Sequence, residues 1–350
     1  MKALLKKGKG SDGISLERIE EPIVKANQIK VEIYAAGICG TDIHIIHDKY
    51  PSILPVVMGH EYSGIIVEVG EEVENFQVGD RVVSLTATIT CGKCSYCNQG
   101  LSMLCDQRKS IGSGVHGAFA EYMVVPAKLV YKIPENITLD EAILTEPLAC
   151  AVRCIMERGC VNAGDFVLIS GPGTIGMLAL QVAKANGGNV VVVGTSEDSD
   201  RLGLALELGA MAVVNIEEEN AEKRLMAITQ NKGFDVAIEC AGVSLSVNNC
   251  ISLLRKQGML IQMGLFGDEI KFDSDLAIMK EINLTNGFAT EPTSLERALR
   301  LLEFRHVDVS PLISNKVPIE DWKKAIHLAE QKVGYKTLIF PNVQNMFFYS

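Results

Sequence analysis

The sequence predicts an α/β chain in which a doubly wound parallel sheet is joined to an irregular β domain. Three observations carry that expectation. Short alternating β segments, punctuated by Gly and Pro, fill roughly the first 150 residues. Strand and helix patterns then alternate from Glu146 to about Asn286. Between the first strand of that second region and its first helix stands the turn Gly171-Pro172-Gly173-Thr174-Ile175-Gly176.

The elements follow in chain order. Residues 29–35, 62–69, 81–85 and 120–125 read as strands of the β region, and a cysteine-rich loop lies between Leu85 and Gly117. Residues 165–170 form a continuous apolar strand, and a helical run follows over 177–186. A second strand over 189–194 precedes a helical run over 201–208, and 234–239, 259–263 and 282–286 are further strands. Two helical stretches, 295–304 and 320–332, and a short strand, 335–340, come after Gly287. The aromatic tail, 345–350, reads as a frayed end. The expected division is a catalytic domain of residues 1–150 plus 288–350, interrupted by a dinucleotide-binding domain of residues 151–287.

Composition narrows the function classes. With 47% apolar and 22% charged residues, the 350-residue chain is globular and long enough for about two domains. A net charge of -10 argues against a nucleic-acid or anionic-membrane binder. No stretch approaches the ~18 apolar residues of a membrane span. The start, MKALLKKGKG, has no hydrophobic signal core. The ten cysteines are few for this length, and four crowd together, so thiols in the cytoplasm are expected rather than secreted disulfides.

Two cysteine-bearing constellations point to metal. Cys91, Cys94, Cys97 and Cys105 are spaced C-x2-C-x2-C-x7-C, a set of four thiolates that can close tetrahedrally around zinc. A closed site of this kind is structural. A looser set consists of Cys39 in GICGTD, His60 and Glu61 in GHE, and Glu146 in TEP. A thiolate, an imidazole and a carboxylate fill three zinc positions and leave one for water or substrate, as a catalytic zinc needs. Gly40 and Gly59 are expected to let the backbone crowd that metal. Thr41 and His44 stand close to Cys39 and suit a proton relay. Asp42 either orients the histidine through its second ring nitrogen or caps a turn. His47, His116, His306 and His327 read as exposed loop residues.

The glycine turn supplies the cofactor expectation. Gly171, Gly173 and Gly176, with Thr174 and Ile175 between the last two, allow a tight turn, close approach of a pyrophosphate and close strand–helix packing. The helix N-terminus offers free N–H groups to phosphate. The acidic residue that reads the ribose in NAD-binding folds is absent: the second strand ends at Gly194, followed by Thr195 and Ser196. Arg201 is the nearest cation. NAD and NADP both stay open.

GICGTD, GHEYSG, VGDRV, the four cysteines, GAFAEY, TEPLA and GPGTIG occur in one order along nearly the whole chain. In this the sequence resembles the zinc-dependent medium-chain dehydrogenases, above all their sorbitol (polyol) and threonine dehydrogenase branch. The resemblance implies a GroES-like β domain interrupted by a Rossmann domain. It implies two zinc ions per chain: a catalytic one on Cys39, His60 and Glu61, with Glu146 holding its water or ligating in an alternate state, and a structural one on the four cysteines. It implies Thr41 and His44 as the relay, Ile175 and Arg201 lining the cofactor, and Gly264 and Leu265 near the nicotinamide. The activity implied is NAD(P)-dependent interconversion of a secondary alcohol, a polyol first and a threonine-like amino alcohol second, by a dimer or tetramer. A non-catalytic binding protein on the same fold is the third reading. The sorbitol-type Arg-aromatic pair is missing from the stretch Gly287-Phe288-Ala289-Thr290-Glu291, where Glu291 is expected to disfavour anionic sugars.

Overall fold

The structure is a computed structural model that describes residues 1–348, with the backbone alone at residues 347 and 348. It divides into two compact units. Unit 1 comprises Met1–Glu146, Ala289–Glu303 and Val309–Ser350; unit 2 comprises Pro147–Phe288 and Phe304–Asp308.

Unit 1 is built on a seven-stranded sheet. Its spatial order runs Val130–Lys132, Arg81–Ser84, Glu61–Val69, Gln28–Gly37, Lys336–Phe340, Ile313–Pro318, and Tyr122–Pro126 also pairs with Gln28–Gly37. In Gln28–Gly37 the buried Ile29, Val31 and Ile33 alternate with polar residues, the period-two pattern of a strand with one face on a core. Ile66, Val82, Phe119 and Met123 pack in the same core. The strand then turns to small residues, Ala35, Ala36 and Gly37, where bulk cannot be accommodated. A Cβ on Gly37 would lie 2.5 Å from Glu61 Oε2 and 3.1 Å from Lys336 Cδ. Lys336 opens the strand that sits beside Gly37, so the end of the chain completes the sheet begun near its start.

Unit 2 holds a six-stranded, wholly parallel sheet in the order Ala212–Asn215, Asn189–Gly194, Phe166–Ser170, Phe234–Glu239, Leu254–Gln262, Asn283–Asn286. In chain order this is 3-2-1-4-5-6, so the winding reverses between the first and fourth strands. The inner strands carry runs such as VVVV at Val190–Val193, buried as sheets covered on both faces require. The strand Ala212–Asn215 and the helices Ala221–Ile228 and Ser244–Leu253 are additions to the sequence expectation. The last of these, SLSVNNCISL, is made largely of residues with poor intrinsic helix propensity, and its burial of Val247, Cys250 and Ile251 overrides that. The helix expected from residue 177 begins at Thr174, since Gly173 is its N-cap. The tail forms the short helix Asn345–Phe348, and the rest of the expected frayed end lies outside the described residues. Among the described residues no helix is long and apolar enough to cross a membrane.

A buried acid shapes the switch point. Glu239, fully buried at the end of the fourth strand, accepts hydrogen bonds from Ala241 N–H and Gly242 N–H at 2.9 Å and from Gln262 Nε2 at 2.6 Å. It thereby ties the loop after the fourth strand to the end of the fifth. Its Oε2 would lie 2.5 Å from a Cβ on Gly264, which explains a glycine there. Glu239→Ala strands these donors in a water-poor site, and we expect a loss of about 2–4 kcal/mol in urea unfolding. An unchanged midpoint would count against this bracing role.

Candidate functional site

The structure brings Cys39, His60 and Glu61 together: one ligand atom from each lies within 4.8 Å of the others. Cys39 is the N-cap of the short helix Gly40–Ile46, and His60 and Glu61 lie where the chain enters the strand Glu61–Val69. Asp42 unites them. It is fully buried, accepts Cys39 N–H at 2.9 Å and Gly59 N–H at 3.3 Å, and has its Oδ1 3.6 Å from His60 Nδ1. The two roles expected as alternatives for Asp42 are therefore combined in one side chain: it caps the turn and faces the histidine.

The electrostatics of this group suit a cation. Burial pulls the His60 pKa down, but Asp42 and Cys39 push it up, and the net direction is well above the usual imidazole value. Glu61 is fully buried; its Oε2 accepts from Lys336 Nζ at 2.6 Å, and its Oε1 has no hydrogen-bond partner. A buried carboxylate oxygen left open beside a thiol and an imidazole is a position that a metal ion satisfies. Lys336 also donates to Ile38 O at 3.2 Å. Burial lowers the Lys336 pKa, yet Glu61, Cys39 and Glu146 outweigh it and raise it. Glu146 is thus close enough to act on this lysine, though it is not among the three clustered ligand atoms.

Of the two glycines expected to let the backbone crowd a metal, Gly59 has another structural reason. Gly40 has open space around its Cβ position. Gly59 has φ +88°, and a Cβ there would lie 2.6 Å from the Phe119 ring. It seats an aromatic side chain at a left-handed turn rather than admitting a metal. Thr41 and His44 are both half-buried on the helix Gly40–Ile46, three residues apart and so on one side of it. Of the other histidines, His47 pairs with Glu330 at 2.8 Å, and His116 Nδ1 accepts Val57 N–H at 3.1 Å, so His116 is exposed but anchored.

Cys91, Cys94, Cys97 and Cys105 converge to the same 4.8 Å limit. Tetrahedral thiolates on zinc lie about 3.8 Å apart, given Zn–S bonds near 2.3 Å. Three backbone amides already point at sulfur: Cys91 N–H at Cys105, Cys94 N–H at Cys91 and Cys97 N–H at Cys94, at 3.3–3.4 Å. Such donors favour thiolate, and the N–H groups of Lys93 and Cys94 bring Cys91 down to about 6. Among the described residues none of the ten cysteines is in a disulfide. Glu291 belongs to this lobe. It is buried and accepts Met103 N–H at 3.2 Å and the Ser102 hydroxyl at 3.4 Å. The expectation that Glu291 repels anionic sugars is corrected accordingly: its carboxylate is spent on the loop just before Cys105.

In unit 2 the three glycines of the turn have separable reasons. Gly171 has φ +100° and would crowd Ala241 N at 2.8 Å; Gly176 would meet Gly171 O at 2.0 Å; Gly173 has nothing within 4 Å of its Cβ position. The first and third are demanded by the fold, and the second keeps clear the ground in front of the helix Thr174–Ala185. Beyond the second strand, Gly194 would crowd Asp198 Cβ at 2.9 Å, and Asp198 accepts Thr195 N–H at 3.0 Å and Thr195 Oγ1 at 2.9 Å. Ser196 N–H donates to Glu217 Oε2 at 2.9 Å, and Arg201 pairs with Asp198 at 3.5 Å. Leu265 is exposed beside Gly264. Sequence reasoning missed Lys336, Asp198 and Glu217. Lys336 carried a faint signal, as a cation opening the apolar strand KTLIF, but its partner lies 275 residues away.

Known proteins share this architecture. Residues 25–135 match the alcohol dehydrogenase GroES-like domain, and residues 174–304 match the zinc-binding dehydrogenase family. The chain is 39% identical to a sorbitol dehydrogenase of Halalkalibacterium halodurans over 97% of its own length and 99% of the relative. It is 35% identical to an L-threonine 3-dehydrogenase of Alteromonas mediterranea over 93% of its length and 95% of the relative. A zinc-binding dehydrogenase structure from Sinorhizobium meliloti 1021, bound to NADP, superposes with a TM-score of 0.88 at 30% identity, covering 97% of this chain and 99% of that one. With relatives this similar over nearly their whole length, the chain belongs to the zinc-dependent medium-chain dehydrogenase family.

Proposed function

We propose that the protein is a zinc-dependent NAD(P) dehydrogenase that interconverts a secondary alcohol, a polyol, with its ketone. The observation that carries this reading is the open, unpartnered Glu61 Oε1 within the Cys39, His60 and Glu61 group, in a chain 39% identical to a sorbitol dehydrogenase. Cys39, His60 and Glu61 would hold the catalytic zinc, with Glu146 close by, and Cys91, Cys94, Cys97 and Cys105 the structural one. Gly171, Gly173, Thr174, Ile175 and Gly176 would receive the pyrophosphate, Gly194, Thr195, Ser196 and Arg201 the ribose side, and Gly264 and Leu265 the nicotinamide end. When bound, zinc supplies Lewis acidity at the substrate oxygen and the nicotinamide accepts hydride. The Thr41 hydroxyl would accept the substrate's proton as it gives up its own, and the His44 imidazole, on the same side of the helix, would carry that proton toward solvent. Asp42 holds Cys39 and His60 in register, and Lys336 keeps Glu61 from turning its charge elsewhere.

An amino-alcohol substrate is the second reading, favoured by the 35% identity to an L-threonine 3-dehydrogenase. A panel of polyols, diols and threonine against NAD and NADP separates the two. A cytoplasmic setting is supported by cysteines that are few for this length, four of them gathered in one group. A homo-oligomer is supported by the edge strand Asn283–Asn286, where Leu284 is 52% exposed, and by its neighbours Ile278 and Met279, 71% and 69% exposed.

Three outcomes follow from this assignment. Cys39→Ala and His60→Ala should each abolish turnover in a folded protein, and elemental analysis should find about one zinc per chain instead of about two; near-normal activity in either sinks the assignment. His44→Ala should slow alcohol oxidation most at low pH, where hydroxide is scarce as an alternative proton acceptor, so a pH–rate profile identical to the parent's argues against the relay. Leu284→Lys should lower the mass seen by light scattering; an unaltered mass places the subunit contact elsewhere.

A further inference from the structure

The acidic residue that reads ribose in this fold normally ends the second strand. Here that position is Gly194, yet carboxylates reach the amides just beyond it from elsewhere. Asp198 takes both Thr195 N–H and the Thr195 hydroxyl, and Glu217, just after the third strand Ala212–Asn215, takes Ser196 N–H at 2.9 Å. The Ser196 hydroxyl accepts from Asn215 Nδ2 at 3.0 Å, and Asn215 Oδ1 accepts Glu217 N–H at 3.0 Å, so Glu217 is held in a small ring of hydrogen bonds. Arg201, the one cation of the neighbourhood singled out above, is paired with Asp198.

We infer that Glu217, with Asp198, replaces the missing strand-end carboxylate and makes this protein prefer NAD to NADP. This rests on the dinucleotide reading above and deepens it. A 2′-phosphate binds where amide N–H groups and a guanidinium converge without a carboxylate. At this strand end the amides of Thr195 and Ser196 already donate to carboxylates, and the guanidinium is neutralised. A dianion would have to displace two like charges, whereas ribose hydroxyls can donate to the lone pairs those carboxylates keep. Hydrogen bonds from the Ser196 hydroxyl and N–H hold Glu217 below the usual carboxylate range, so it stays charged at neutral pH. The preference is opposite to that suggested by the NADP-bound neighbour, from which the chain differs at most positions.

Calorimetric titration of the zinc-loaded, full-length protein with NAD and with NADP tests this without reference to turnover. NAD should bind tighter by about tenfold or more. In Glu217→Gln the amide oxygen can still accept Ser196 N–H while the charge is gone, and the NADP/NAD ratio of Kd should fall by about threefold or more. Glu218→Gln, an adjacent exposed carboxylate paired with Arg224, should leave the ratio as it is. Raising salt from about 0.05 M to about 0.5 M should narrow the ratio in the parent more than in Glu217→Gln, because the repulsion is solvent-exposed and screened. Equal or tighter binding of NADP by the parent, or a ratio unmoved by Glu217→Gln, overturns the inference and leaves the dinucleotide reading standing. Failure of both dinucleotides to bind overturns that reading and the inference with it.

Discussion

A buried carboxylate must collect donors or a cation, and in this protein that requirement organises every loop that matters. Asp42 has no exposed surface and gathers the amides of Cys39 and Gly59 while facing His60. Two segments far apart in sequence are thereby fixed around one point. Glu61 meets the same requirement with Lys336 on one oxygen and leaves the other open. Glu291 braces the four-cysteine lobe, and Glu239 joins the two loops at the switch point of the parallel sheet. Asp42 stands in the first turn of a helix, where an acid is locally favoured, and Glu61 and Glu239 stand at strand ends; each restricts where a neighbouring loop can go.

The division of labour between the units follows from this. In unit 1 Asp42 and Glu291 help to hold together two groups of donor side chains of a kind that could hold a metal. In unit 2 glycines do the complementary work by removing matter: Gly173 leaves room, while Gly171 and Gly176 let the turn lie close to its neighbours. Donor atoms are gathered in one unit, and backbone is bared in the other.

Much of this was legible in the sequence, and the limit of legibility has a physical cause. The parallel sheet, the glycine turn and the four-cysteine cluster announce themselves through local spacing, since a set of near thiols or a strand–turn–helix needs only a few residues to be recognisable, while Cys39, His60 and Glu61 could be grouped only by reading them jointly. What stayed hidden was every interaction made by tertiary approach. Gly59 reads as room for a metal until Phe119 is seen beside it. Glu291 reads as a charge near a substrate until it is found bonded to Met103 and Ser102. The ribose side reads as lacking an acid because Glu217 belongs to the next strand, which the sequence pattern itself did not mark. The helix Ser244–Leu253 was missed for a related reason, as burial and not propensity makes it.

The bond between Lys336 and Glu61 spans 275 residues, and the strand opened by Lys336 closes the sheet of unit 1. On a ribosome this imposes an order of events. Cys39, His60 and Glu61 leave the exit tunnel early, followed by unit 2, whose sheet runs without interruption from Phe166–Ser170 to Asn283–Asn286 and can form while synthesis continues. The Cys39, His60 and Glu61 group of unit 1 lacks the lysine that compensates its buried glutamate until Lys336 has followed, well after the parallel strands of unit 2 are made. A nascent chain can therefore complete its sheet of parallel strands before the Cys39, His60 and Glu61 group is closed, and loss of Lys336 is felt at a residue made 275 positions earlier.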